Sequence, residues 1–147
     1  MKSMWQEATR REMQERLRSL TTDRPPKWGR FSAPQMVVHV ADSFRSALGD
    51  LHVESKNLPL RYTPLKQLVI YVLPFPKNAP TAPELLARKP GDWAADIEAL
   101  GTLMGRFAIV KPGGAWPVHA AFGSLTGTQW GILMYRHADH HFRQFGI

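Results

Sequence analysis

Apolar and polar positions repeat with the period of a helix in four stretches of this chain. From Ser3 to Leu20, the residues Trp5, Thr9, Met13, Leu17 and Leu20 fall in one arc, with Glu7, Arg11, Gln14 and Arg18 opposite. Pro25 and Pro26, within Asp23 to Trp28, end that helix. A second begins at Ser32-Ala33-Pro34-Gln35, where serine and the glutamine three residues later form a capping box and proline is tolerated in the first turn. It is expected to run to about Leu51, with Met36, Val37, Val40, Ala41, Phe44, Ala47, Leu48 and Leu51 as a wide apolar stripe and His39 at the stripe's edge. A short helix is expected from Thr63-Pro64 to about Val72. Pro74, Pro76, Pro80 and Pro83 then impose an extended connection.

The third long helix starts near Asp92, and Trp93, Ile97, Leu100, Met104 and Phe107 form its single stripe until Lys111-Pro112-Gly113-Gly114 breaks the chain. Thr126-Gly127-Thr128-Gln129 is another capping box, opening a last helix that extends to about Phe145. Strand signals are weak. Lys66 to Leu73 is β-branched in part, but it does not alternate and prolines bound it closely. The pattern predicts an all-α fold: a four-helix bundle with long Pro/Gly-rich connections, as one domain over residues 1–147.

Composition narrows the chemistry. There is no cysteine, which excludes disulfides and thiolate ligands, so a bound metal must use histidine and carboxylate. The segment Met1 to Leu20 is charged throughout and does not read as a signal peptide. The longest apolar run, Leu68 to Leu73, falls far short of the roughly 20 residues of a membrane span. A cytoplasmic protein with no membrane partner is expected. The net charge is +7, and its scattering argues against a nucleic-acid footprint while suiting an acidic small ligand such as a carboxylated thiol.

Histidine placement changes the picture most. Three of the six histidines lie in His137-Ala138-Asp139-His140-His141. With His137 at zero on a helical wheel, Trp130 lies at about 20°, His141 at about 40°, Met134 at about 60° and Gln144 at about −20°. His137 and His141 therefore occupy the middle of a buried face. One inward histidine is ordinarily a hydrogen-bonded core residue. Two at i, i+4 present their lone pairs together, at the spacing that binds one divalent ion. A third ligand must come from elsewhere, and the candidates are His39, His52 and His119. His39 is the best placed, beside an apolar stripe on a well-capped helix. His52 follows Gly49-Asp50 where that helix ends, and His119 lies in a Gly/Pro-rich loop.

Other polar residues have two readings each. Asp42, three residues after His39, reads as an acceptor orienting an imidazole or, slightly better, as a surface charge. His140 sits at the margin of the face and reads as a base, a supporting group or a rim residue. Asp42 and His140 are the candidate catalytic residues. Gln144 faces inward and can hydrogen-bond His141 or a bound water, whereas Asp139 points away, toward Arg136 or Arg143. Trp28, Trp116 and Trp130 can line a pocket or pack the core, and the stripe favours the core for Trp130. Neither a phosphate loop, a Gly-x-Ser-x-Gly elbow nor a His-Glu-x-x-His motif is present.

Three segments carry a family resemblance. They are His39-Val40-Ala41-Asp42, Ala121-Phe122-Gly123, and the closing stretch from Gln129-Trp130-Gly131 through Tyr135-Arg136-His137-Ala138-Asp139-His140-His141-Phe142-Arg143-Gln144-Phe145-Gly146. The chain resembles the DinB/YfiT-like superfamily of four-helix-bundle proteins, and its tail is similar to that of an uncharacterised subfamily. The resemblance implies a divalent metal held by one histidine of the second helix and two of the fourth, here His39, His137 and His141. It also implies a small-molecule substrate and metal-dependent transfer or isomerisation using a low-molecular-weight thiol.

The expectation is thus a metal-dependent enzyme, with thiol S-transfer as the leading reaction and Zn²⁺ or Ni²⁺ as the ion. Ligation would lower the thiol's pKa. The competing readings are a metal-dependent hydrolase, a non-catalytic metal-stabilised bundle and a basic nucleic-acid-binding module. A homodimer is compatible with any of them.

Overall fold

The computed structural model describes residues 1–77 and 79–147. It is all-helical: α1 (Glu7–Arg18), α2 (Ala33–Ala47), α3 (Leu65–Tyr71), α4 (Trp93–Arg106) and α5 (Gly127–Gln144), with 3₁₀ turns at Pro59–Arg61 and Pro83–Leu85. No strand occurs among the described residues; one isolated bridge pairs His119 with Gly123. No helix among them is long and apolar enough to cross a membrane.

The local signals at helix starts hold. Ser32 and Gln35 cap α2 reciprocally, at 3.3 Å and 2.9 Å. Thr126 and Gln129 do the same for α5, at 3.2 Å and 2.9 Å. Asp92 caps α4 through the Ala95 N–H, at 2.9 Å. Each cap satisfies helix donors that would otherwise lack partners.

Two boundaries differ from the periodicity. α1 begins at Glu7 rather than Ser3 because the first residues are tied elsewhere. The Ser3 N–H donates to Gln6 Oε1 (3.2 Å), the Met4 N–H to the Gly131 carbonyl (2.9 Å) and the Trp5 indole N–H to the Gly127 carbonyl (2.9 Å). The chain lies close along α5 there. A Cβ on Gly131 would run into the Trp5 ring and come within 2.6 Å of Ser3 Oγ. α2 ends at Ala47 rather than Leu51 because Gly49 turns left-handed, with φ +83°.

The four longer helices pack in a closed ring, α1 against α4 and α5, and α2 against the same two, while α3 covers part of α5. Their facing sides bury Phe44, Leu100, Met104, Phe107, Trp130 and Phe142. Leu100, Met104 and Phe107 are the inner part of the α4 stripe, whereas Trp93 and Ile97 remain partly exposed.

The far end of α5 is held firmly. Arg24 donates to the Phe145 and Gly146 carbonyls (2.9 and 3.1 Å), the Lys27 N–H to the Gln144 carbonyl (2.7 Å) and Arg16 to the Ile147 carbonyl (2.9 Å). The Lys27 backbone N–H satisfies the last carbonyl of α5, and the two arginines put positive charge just past its end, which opposes the helix dipole.

Candidate metal centre

α2 brings His39 to the face of α5 that carries His137 and His141. His39 Nε2 and His141 Nε2 each stand 3.2 Å from His137 Nε2. The three ring centroids form a nearly equilateral triangle, with sides of 5.1, 4.8 and 4.8 Å. One ligand atom from each ring lies within 4.8 Å of the other two, so the trio could hold a metal ion. Zinc–imidazole bonds are about 2.0–2.1 Å; a cation at that distance from two nitrogens 3.2 Å apart subtends about 100–106°, near the tetrahedral value.

The hydrogen bonds around the rings say which lone pairs are free. His39 Nδ1 faces the Leu85 carbonyl at 3.2 Å, an acceptor only, so Nδ1 carries the proton and Nε2 is bare. Gln144 donates its amide N–H to the Trp28 carbonyl at 2.7 Å, which turns its oxygen toward His141 Nδ1 at 2.8 Å. His141 is thereby also an Nδ1–H tautomer with a bare Nε2. His137 Nε2 sits between these two acceptors, and one N–H there can fully serve only one of them. A cation satisfies all three nitrogens at once.

Electrostatics agree. Burial lowers the His39 pKa, against a smaller opposing effect of the Leu85 carbonyl. Burial, then the neighbouring His141 and His39, place His137 well below the usual histidine range. Burial, then His39, bring His141 to about 3. All three are neutral at pH 7, which is the protonation state a metal ligand needs.

The supporting shell differs from expectation at one residue. Asp42 is neither a surface charge nor a histidine's partner: it is 1% exposed, and its carboxylate accepts from Arg88 (3.0 and 3.2 Å) and Arg45 (3.1 Å). Arg88 lies just past the Pro83–Leu85 turn, so Asp42 pins the loop whose Leu85 carbonyl orients His39. A backbone carbonyl on a distant loop leaves no mark in the sequence.

Gln144 behaves as expected and does more, by joining His141 to the Trp28 segment. Loss of such a partner ordinarily lowers metal affinity about 10–100-fold. Gln144→Ala should show that loss in a competitive zinc titration while the metal-free protein stays folded, and an unchanged affinity would remove Gln144 from this role.

The remaining candidates separate. His52 is exposed and faces Glu54 at 3.5 Å, away from the trio. Asp139 pairs with Arg143 (2.9 Å) and Arg16 (2.7 Å). His140 is partly buried, its ring 5.2 Å from His141, 5.9 Å from Trp28 and 6.1 Å from Phe75, and burial lowers its pKa. His119 packs between Phe122 (4.9 Å) and Trp130 (5.1 Å). Trp116 belongs to a cluster with Trp5 and Phe107, at 5.4 and 6.1 Å.

His39, His137, His140, His141 and His119 all line one cleft of ≈ 1060 Å³, with Trp28, Phe31, Phe75 and Trp130 among its apolar walls. That is ample for a small molecule. Phe31, 5.1 Å from His39 and 5.9 Å from His141, carried no signal beyond its place before the α2 cap. Comparison with protein-family models, with curated proteins and with solved structures returned no match.

Proposed function

We propose that this protein is a divalent-metal-dependent enzyme of the DinB/YfiT-like four-helix-bundle type, with a small molecule as substrate and S-transfer from a low-molecular-weight thiol as its reaction. The observation that carries the reading is the convergence of three neutral imidazole lone pairs on the wall of a large apolar cleft. The ring packing of the four longer helices supports the bundle assignment. His39, His137 and His141 would hold the ion, and three imidazoles suit Zn²⁺ or Ni²⁺. A cation held there would supply Lewis acidity, favouring the ionised form of a nucleophile in the cleft.

The chain's own groups do the rest. Leu85 and Gln144 fix the ligand rings. Trp28, Phe31 and Phe75 exclude water and take up an apolar substrate. His140, neutral and open to the cleft, is placed to accept the thiol proton; the sulfur then forms a bond to an electrophilic carbon, whose leaving group departs with its electron pair. Three protein ligands in a cleft would leave coordination positions open, whereas a purely structural site is closed.

Cobalt-loaded protein titrated with β-mercaptoethanol tests this reading. A sulfur-to-cobalt charge-transfer band that grows and saturates is expected. A spectrum that ignores thiol, phosphate and cyanide alike would mean a closed, structural ion.

A further inference from the structure

His119 is built differently from the other histidines of the cleft. Its Nδ1 accepts two backbone N–H groups, from Ala121 at 3.0 Å and from Phe122 at 3.2 Å. Those bonds fix the tautomer, with the proton on Nε2. The turn around the ring is closed in both directions, by the His119 N–H to the Gly123 carbonyl (2.9 Å) and the Gly123 N–H to the His119 carbonyl (3.0 Å). Gly123, at φ +70°, supplies the left-handed residue that this tight return needs. Phe122 and Trp130 flank the ring.

The Nε2–H has no protein acceptor among the described residues, although the ring lines the same cleft as the metal trio. Burial alone brings its pKa down to about 4. At neutral pH the ring is therefore a fixed, uncharged, one-proton donor, because Nδ1 is already engaged. The Trp28 indole nitrogen, on the same cleft's wall, is likewise without an acceptor.

The wall also has a sign. Lys56 and Arg30 line the cleft, and no Asp or Glu does among the described residues. Lys56 is tied to the His119 turn, its N–H donating to the Ala120 carbonyl at 2.8 Å. Asp42 and Asp139, both little exposed, are each held by two arginines, and the exposed Glu84, which Lys56 influences, is not part of the lining. A donor without a protein acceptor, in a cleft lined by Lys56 and Arg30 and by no carboxylate among the described residues, matches an incoming oxyanion.

We infer that His119 is a binding residue for the ligand: its Nε2–H, in a cleft that Lys56 and Arg30 also line, holds a carboxylate or similar oxyanion on a molecule whose other end reaches the histidine trio. This rests on the proposed metal site. It gives the acidic ligand that the net charge suits a binding residue of its own.

The test uses cobalt-loaded protein and a series of ω-mercaptocarboxylates of increasing chain length, each compared with the alkanethiol of matching length. One chain length should bind more tightly than its alkanethiol by roughly tenfold or more, the worth of a hydrogen bond to a charged group. His119→Asn keeps an oxygen for the turn's N–H groups, and its shorter side chain withdraws the donor from the Nε2 position. It should abolish that preference and leave alkanethiol binding unchanged, and His119→Gln, which returns an N–H near the lost position, should restore part of it.

Zinc-loaded wild-type protein labelled with ¹⁵N-histidine gives a reading that does not depend on any variant folding. The His119 Nε2 resonance should shift with the preferred mercaptocarboxylate and not with the alkanethiol. Equal affinities throughout the series, or an unmoved resonance, would overturn the inference while leaving the metal site standing. Failure of the protein to bind cobalt or zinc at all would instead remove the metal reading beneath it.

Discussion

Replacing His137 with alanine is expected to abolish stable binding of a divalent cation. The central nitrogen of the trio belongs to His137, 3.2 Å from each of the other two. Its removal leaves two ligands on separate helices. Loss of a mere supporting partner costs about 10–100-fold in affinity, so loss of a ligand should exceed that range. His141→Ala should behave alike. His52→Ala is the control: the ring is exposed and faces Glu54, so affinity should not change. Isothermal titration with zinc reads all three, and an affinity in His137→Ala or His141→Ala within threefold or so of wild type would take that residue out of the coordination sphere.

The second large effect is on stability. The metal-free protein buries two imidazoles and half-buries a third, with too few protons to satisfy one another. Their folded pKa values are lowered, to about 3 for His141, while in the unfolded chain they return to about 6.5. The unfolded state therefore takes up more protons once the pH falls below about 6.5, and folding stability is lost progressively from there toward pH 3. Each fully shifted histidine contributes a slope of about 1.4 kcal/mol per pH unit. Melting curves of metal-free protein should thus be flat above pH 7 and fall steeply between about 6.5 and 5. At neutral pH, zinc at a free concentration a thousand times its Kd adds about 4 kcal/mol. At about 2–4 °C per kcal/mol for a domain of this size, Tm should rise by roughly 8–16 °C. A pH-independent Tm from 7 to 5, together with no rise on adding zinc, would mean that the trio is not buried as described.

Much of this site is visible in the sequence because its chemistry is local or periodic. Capping boxes are four-residue events, so Ser32 and Thr126 mark the starts of α2 and α5. A helical wheel places His137, His141 and Gln144 on one face because all three share one helix, and His39 stands at the edge of another helix's stripe. What resisted reading depends on distant chain. Prolines between Pro74 and Pro83 show that the connection is extended, but not that Leu85 returns to orient His39. Asp42 looks like a surface charge until Arg88 arrives from that same loop. Trp116 and Trp28 are equally plausible wall residues by type; only the packing sends one to Phe107 and the other to the cleft. The early residues of α1 keep helical periodicity yet leave the helix, because the bonds to Gly131 and Gly127 come from a segment more than a hundred residues away.

X-ray absorption at the zinc edge of stoichiometrically loaded protein addresses the central claim most directly. Three imidazole nitrogens at about 2.0–2.1 Å are expected, with the multiple-scattering features of three rings, and His39→Ala is expected to retain no stoichiometric zinc. Fewer than three imidazoles in the wild type, or a spectrum unchanged by His39→Ala, would contradict a cation shared between α2 and α5.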